Sequence, residues 1–365
     1  MMTNKDLLFE TVTLGNIKLD NRVGLSPMTR TSAAPEGTAT DQMVDYYAKF
    51  ARGGFGLIIT EGIYSDNTFS QGYFKQPGII DDEQVKAWKK VTDAVHQEGG
   101  KIVAQLMHAG ALSQGNRFVK DGLGPSAVQP KGEQMKIYGG NGSFQLPKEA
   151  TKEDITELIK GFVEASKNAK EAGFDGIEIH GANGYVLDQF LTDYTNKRTD
   201  EYGGSTENRV RLLVEVSKAV REAVGKEFTV GIRIGQSKIN DFYHKWADKE
   251  KDAEIIFGQL GQADLDFIHV TEFQAWQPAF PEGESTLVAL AKKYGNLPVI
   301  ANGSLHDPEK AKEMIEKGGA DVITLGRGAL ANYDWVNKVK NEEQLQEFVP
   351  EKVLQPNAKI KNFEV

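Results

Sequence analysis

His180, Asn183 and Tyr185 fall on one short stretch, His180-Gly181-Ala182-Asn183-Gly184-Tyr185. A neutral imidazole and a carboxamide can both donate hydrogen bonds to one oxygen, and a phenol beside them can hand over a proton. Together they could polarise a carbonyl and protonate the carbon next to it. Taken alone, the same residues also suit a strand-end histidine bonded to backbone and an asparagine chosen for its turn. Gln105 and Arg233 form a second set. A carboxamide pairs with the mixed donor and acceptor edge of a flat heterocycle, and a guanidinium stabilises negative charge there, as on a reduced flavin. Asn302-Gly303-Ser304 and Gly326-Arg327 form a third. Small residues, backbone N–H groups and a guanidinium suit a phosphate, with two tight turns and a surface arginine as the plainer alternative.

These residues need a scaffold that brings them together. Ile177 and Ile179 alternate with Glu178 and His180, which is strand periodicity. Gly173 ends the helix before it, and Thr151-Lys152-Glu153-Asp154 opens that helix as a capping box. Further apolar strands are expected at 23–26, 56–62, 102–106, 229–234, 266–270, 298–301 and 321–325, after a hairpin around Leu14-Gly15-Asn16. Helices are expected from Asp41 to Ala51, from Asp81 or Asp82 to Gly99-Gly100, from Asn208 to Val224, from Ala253 to Leu260, and from Asp307 with Pro308 at its first position. Strands and helices alternate without a shift in composition. The pattern predicts an α/β chain folded as a (β/α)8 TIM barrel, a single domain over residues 1–365 with an N-terminal hairpin and long loops after the strands. The longest loop, Ala111 to Ala150, has a length that usually serves function. A doubly wound open sheet would want a Gly-rich turn after the first strand, where the chain has Ser26-Pro27-Met28-Thr29.

Barrel enzymes work at the C-terminal ends of their strands, and phosphates commonly bind after strands seven and eight. Here those ends carry Thr29, Glu61, Gln105, His180 with Asn183 and Tyr185, Arg233, Thr271, Asn302 and Arg327. Alternation also turns Glu178 and Arg233 into the barrel. A carboxylate and a guanidinium there should be paired, so an ion pair between them, direct or through one water, is expected.

The 365 residues carry a net charge of −9, with six His and no Cys. Disulfides, thiolate nucleophiles, Cys-ligated zinc and iron–sulfur clusters are excluded, and no His pair has HExxH spacing, so no catalytic metal is expected. Scattered Lys and Arg on an acidic chain argue against nucleic acid. No apolar run is long enough to span a bilayer, and the start lacks a signal core. The expectation is a cytoplasmic protein without membrane partners, acting on a small molecule, with homo-oligomerisation left open.

From about Leu8 to Asp334 the chain resembles the old yellow enzyme family of FMN-dependent oxidoreductases. The resemblance rests on Asn21-Arg22-Val23 with Pro27-Met28-Thr29-Arg30, on Gly56 to Gly62, on Gln105 to Gly110, on Asp175 to Tyr185, on Asn196 to Gly204, on Asn208-Arg209 and on Gly326-Arg327. It implies that Thr29 bonds the flavin near its reactive edge, that Pro27, Met28 and Gly62 line the ring, and that Gln105 and Arg233 hold its pyrimidine end. It implies a phosphate on Asn302, Gly303, Gly326 and Arg327, a substrate oxygen on His180 and Asn183, and Tyr185 as proton donor. The implied activity is transfer of hydride from NADH or NADPH through FMN to an electron-poor double bond, with quinones and nitro compounds as further acceptors. Met107 stands where the family often has Trp, and Ala111 where it often has Arg or another large residue. Both changes are expected to reshape the substrate side. The tail after Asp334 lacks the aromatic ending that many members place over the pocket, and Phe273, Trp276 and Phe280 on the loop 271–284 could cover the pocket or a subunit contact. The rival reading is a flavin-free barrel lyase or isomerase acting on a phosphorylated substrate, which has no use for Gln105 and Thr29 as ring contacts. A flavin-binding protein without turnover is a third, against which the intact His180, Asn183 and Tyr185 set speaks.

Overall fold

The computed structural model describes residues 6–365. Eight parallel strands close into a barrel: β1 Val23–Leu25, β2 Leu57–Ile59, β3 Lys101–Met107, β4 Gly176–Asn183, β5 Thr229–Lys238, β6 Phe267–Thr271, β7 Val299–Asn302 and β8 Val322–Leu325. β8 pairs with β1 and β2 with β3, so the sheet has no free edge. The helices around it are α1 Asp41–Arg52, α2 Asp82–Gln97, α3 Lys152–Glu171, α4 Thr206–Val224, α5 Glu250–Leu260, α6 Leu287–Gly295, α7 Pro308–Glu316 and α8 Trp335–Lys340. No helix among the described residues is long and apolar enough to cross a membrane.

Local sequence sets these boundaries. Asp81 caps α2 by accepting from the Gln84 N–H, and both halves of the Thr151–Asp154 capping box open α3. α3 stops where Gly173 takes a φ of +84°, and Asp307 with Pro308 starts α7 as expected. The expected hairpin is present, Val12–Leu14 against Ile17–Leu19. Its Leu14, Ile17 and Leu19 pack on Leu57, Ile59, Val103, Phe267, Ile300 and Val322 and plug the N-terminal end of the barrel. Burying each large aliphatic side chain there contributes about 1.5–3 kcal/mol.

The sequence expectation falls short after Tyr185. The chain enters a short helix, Val186–Leu191, whose six residues are all buried. Six residues with Asp188 and Gln189 in the middle are too few to show a helical period. The long loop 111–150 starts in a 3-10 turn, Gly110–Leu112, and holds another, Lys136–Tyr138, with a two-residue strand, Leu123–Gly124, paired with Lys148–Glu149. The tail returns to the barrel mouth. Buried Arg30 makes two 2.7 Å bonds to the Glu364 carboxylate and donates through Nε to the Ala358 carbonyl.

Candidate active site

A cavity of about 450 Å³ opens at the C-terminal ends of the strands, within the size range of small-molecule sites. Its wall carries Pro27, Met28, Thr29, Gln105, His180, Asn183, Tyr185, Arg233, Asn302, Gly303, Gly326 and Arg327. Gly62 is the exception among the residues that the resemblance assigns to cofactor or substrate. It lies off the wall beside Met107, whose sulfur would stand 2.6 Å from a Cβ at that position, and its carbonyl accepts from Gln76. Met107 is on the wall, whereas Ala111 is not: its N–H is held by Gln189 at 3.1 Å, beside a separate small cavity.

On one side of the cavity β4 runs to Asn183, which sits at φ +62°, a conformation Asn tolerates better than most residues. Gly184 follows at φ +88°. Asp188 fixes this turn by accepting the Gly184 N–H at 2.7 Å and pairing with the Lys238 ammonium at 2.7 Å, both side chains buried. Lys238 in turn lies in register with Asn183 on β5. The clamp leaves functional groups unused. Among the described residues the Asn183 amide makes no side-chain bond, and the buried His180 Nδ1 has no partner. Burial, with Arg233 and His269 near it, holds His180 well below its ordinary pKa, so the imidazole is neutral. The Tyr185 ring meets His180 edge-on at 5.0 Å, and its hydroxyl lies 2.6 Å from the Tyr73 hydroxyl. Burial pushes the Tyr185 phenol up to about 12, which keeps its proton in place at neutral pH.

Deeper in the barrel the polar groups satisfy one another. Gln105 Nε2 donates to Glu178 Oε1 at 2.8 Å, and Glu178 Oε2 lies 2.6 Å from His269 Nδ1. His269 Nε2 lies 3.0 Å from the Thr324 hydroxyl. A carboxylate only accepts, so Nδ1 carries the proton and Nε2 takes the Thr324 O–H. Burial works to raise the Glu178 carboxyl, yet His269, Arg233 and Gln105 together hold it below the ordinary carboxylate range. Burial likewise keeps His269 neutral. A direct Glu178–Arg233 ion pair is therefore absent among the described residues. Glu178 does point inward, but the register sets it opposite Gly231, while Arg233 is level with His180 and His269. Arg233 Nη2 instead donates to Thr271 at 3.0 Å and Asn302 at 2.9 Å, and its buried Nε is left without a partner among the described residues. Burial lowers the guanidinium to about 10, still charged at neutral pH.

Asn302 donates to the Thr324 carbonyl at 3.1 Å. At Gly303, with φ +147°, a Cβ would stand 2.3 Å from the Glu272 carbonyl, so only glycine lets the backbone pass there. Arg327 is exposed and makes no ion pair among the described residues. It opens the short helix Arg327–Ala331, whose first-turn N–H groups have no intrahelical acceptor. On the β1 side, Glu61 is not a wall group. It lies buried behind the loop and accepts the N–H groups of Arg30 at 2.9 Å and Thr31 at 3.2 Å, which fixes the backbone carrying Thr29. Burial pushes its carboxyl up to about 7.

The rim also departs from expectation. Phe273 stays at the mouth, 5.2 Å from Phe242, but Phe280 is buried and Trp276 packs under Lys310. The tail, expected to bring no aromatic over the pocket, adds Phe348 and Leu354 to the wall. Several contributors were not singled out from sequence: His269, Tyr73, Met135, Tyr138, Lys238 and Phe242. His269 was within reach, because alternation from Thr271 places it inside β6. Lys238 ends β5 beyond a break in register after Ile234, and the others sit on loops, where no periodicity points at a wall.

The donors suit FMN. Gln105 and the partnerless Arg233 Nε can meet a heterocycle edge, and Gly303, Gly326 and Arg327 can meet a phosphate at the far end of the same cavity. Residues 7–346 match the NADH:flavin oxidoreductase / NADH oxidase family. The chain is 37% identical over 340 residues to a probable flavin mononucleotide-dependent alkene reductase of Leishmania infantum, covering 91% of this chain and 89% of that protein. It is 34% identical to an NADH oxidase of Thermoanaerobacter brockii, of which it spans only about half, 52%. Among solved structures it superposes on the old yellow enzyme homologue of Zymomonas mobilis with a TM-score of 0.85 at 32% identity, over 94% of this chain and 95% of the other. Morphinone reductase in complex with tetrahydroNAD gives 0.82 at 32% identity, over 94% and 93%. The fold, the donor set and these likenesses agree, and the chain belongs to the old yellow enzyme family of NADH:flavin oxidoreductases, whose cofactor is FMN and whose reductant is a nicotinamide.

Proposed function

We propose that this protein, as one FMN-binding unit in the cytoplasm, reduces electron-poor C=C bonds of small molecules at the expense of NADH or NADPH, with quinones and nitro compounds as further acceptors. The bound FMN supplies the two-electron link between nicotinamide and alkene. The residues of the chain supply the rest. Neutral His180 and the Asn183 amide donate to the carbonyl or nitro oxygen of the substrate and stabilise the charge that develops on it. Tyr185 protonates the carbon next to that carbonyl. Gln105, Arg233 and Thr29 hold the ring, and Asn302, Gly303, Gly326 and Arg327 the phosphate. The observation that carries this reading is one wall bearing a partnerless His180 nitrogen, a free Asn183 amide and a protonated Tyr185. A lyase or isomerase would leave the Gln105 and Arg233 pair without a use.

Replacement of Tyr185 by Phe tests it. FMN content and reduction by the nicotinamide should stay near wild type, while enone reduction slows by ~10²–10⁴, the usual worth of a positioned acid. Quinone reduction should suffer less, because water can protonate its oxygens. Equal loss on both acceptors would make Tyr185 a structural residue.

A further inference from the structure

The hydroxyls of Tyr185 and Tyr73 lie 2.6 Å apart, but the two phenols are not equivalent. Tyr185 is on the cavity wall, whereas Tyr73 is fully buried and off it. The Tyr73 hydroxyl has no other hydrogen-bond partner among the described residues, so the Tyr185 oxygen is the one acceptor its proton can reach. A buried O–H left unbonded is destabilising. Tyr185 also has no other acceptor among the described residues. Once its oxygen accepts from Tyr73, its own proton is left for the cavity.

We infer that Tyr73 is a positioning residue for proton delivery: it aims the Tyr185 proton at the substrate and stabilises the phenolate left behind. The inference rests on the proton-donor role proposed above. In that step the Tyr185 O–H bond breaks and a C–H bond forms at the substrate α-carbon. The O–H electron pair stays on the Tyr185 oxygen. The two electrons that reduce the alkene arrive with the hydride supplied by the reduced cofactor, and water from the open mouth later returns the proton. As charge builds on the Tyr185 oxygen, the bond from Tyr73 becomes charge-assisted, roughly twice as strong as a neutral one. Its benefit is therefore larger in the transition state than in the ground state, and it should act on rate more than on binding. The position is rigid, since Tyr73 packs on Tyr138 at 4.7 Å within a cluster that includes Met107, Leu112 and Phe144. The other groups acting on Tyr185 are neutral His180 at its edge and the Arg233 guanidinium.

Tyr73→Phe keeps the ring packing and removes only the hydroxyl. The test compares wild type, Tyr73→Phe, Tyr185→Phe and the double variant, each loaded with FMN, in anaerobic rapid mixing with an enone and with a quinone. Tyr73→Phe should slow enone reduction about ten- to hundredfold, the worth of a hydrogen bond to a charged group. KM should change little, and the solvent deuterium isotope effect on that step should rise as proton transfer becomes limiting. Flavin reduction should match wild type, and adding Tyr73→Phe to Tyr185→Phe should change nothing further. An equal Tyr73→Phe effect in both backgrounds, an unchanged isotope effect, or wild-type enone rates in Tyr73→Phe would overturn the inference. If Tyr185→Phe itself reduces the enone at wild-type rate, the proton-donor reading fails and this inference falls with it. The two failures are told apart by which single variant is silent.

Discussion

The two ends of the barrel solve the same problem, what to place inside a closed sheet, in opposite ways. The N-terminal end is filled by Leu14, Ile17 and Leu19 of the hairpin against Leu57, Phe267 and Val322, and the buried Thr229 hydroxyl there is taken up by the hairpin backbone. The C-terminal half carries Gln105, Glu178, His180, Arg233, His269, Asn302 and Thr324 on the same strands. That half divides again by partner. The oxygens of Glu178 and both nitrogens of His269 have partners. Arg233 Nε and His180 Nδ1, which face the cavity, have none among the described residues. Buried polar groups are normally satisfied, so the partnerless nitrogens on the wall mark where ligand atoms complete the network. The bottom holds the barrel shut, the middle holds the wall residues in place, and only the top is left for chemistry.

Removing His269 should break the middle layer most severely. His269→Leu leaves the Glu178 carboxylate buried with only Gln105 as donor, and breaking a buried charged network in this way costs about 3–5 kcal/mol. Urea unfolding of the FMN-free protein reads that loss, and a change of a few tenths would show that the layer contributes little. Leu14→Ala sharpens the contrast from below. A large-to-small change in a packed plug should cost about 2–5 kcal/mol, yet FMN affinity should match wild type because the plug is at the far end of the strands. Weakened FMN binding would mean that the two ends are coupled.

The smallest effect is a pH dependence of stability. Burial holds His108, His180, His244 and His269 below their ordinary value of about 6.5. Below pH 6.5 the unfolded chain binds these protons before the folded one does. The stabilisation is thus present above 6.5 and lost as pH falls toward the folded values, by up to ~1.4 kcal/mol per pH unit for each His. Glu61, raised to about 7 from an ordinary value near 4.3, works in the other direction over the same window. Four groups against one should leave the protein less stable at pH 5 than at pH 6.5. Glu61→Gln should steepen the fall. A flat profile, or the same slope in both proteins, would contradict this balance.

How much was legible in the sequence follows the same division. The barrel was legible because apolar strands, capping boxes and Gly stops are local signals, and Asp81, Thr151 and Asp307 act as their residue types suggest. Wall residues on strands were legible through alternation. What alternation gives is a direction, not a partner. Glu178 does face inward, but strand register sets it one layer below Arg233, and His269 from β6 takes the place expected for the arginine. Loop contributions were not legible. Tyr73 reaches Tyr185 across 112 positions of sequence, and Tyr138 and Phe348 come from segments without periodicity. Gly62, carried over from a motif, sits off the wall because Met107 occupies the space in front of it.

The central claim is that His180 and Asn183 form an anion-preferring site on the cavity wall, separate from the groups that hold FMN. A phenol titration followed by absorbance tests it most directly in the FMN-loaded wild type, His180→Ala and Asn183→Ala. Two donors in a dry pocket should bind the phenol as phenolate, and its electron-rich ring against the flavin should give a new long-wavelength charge-transfer band. Loss of one oxyanion donor costs roughly 2.7–4 kcal/mol in comparable sites, so His180→Ala should weaken phenol binding by about two to three decades with FMN content unchanged. No band in the wild type, or a His180→Ala protein that titrates like wild type, would contradict the account.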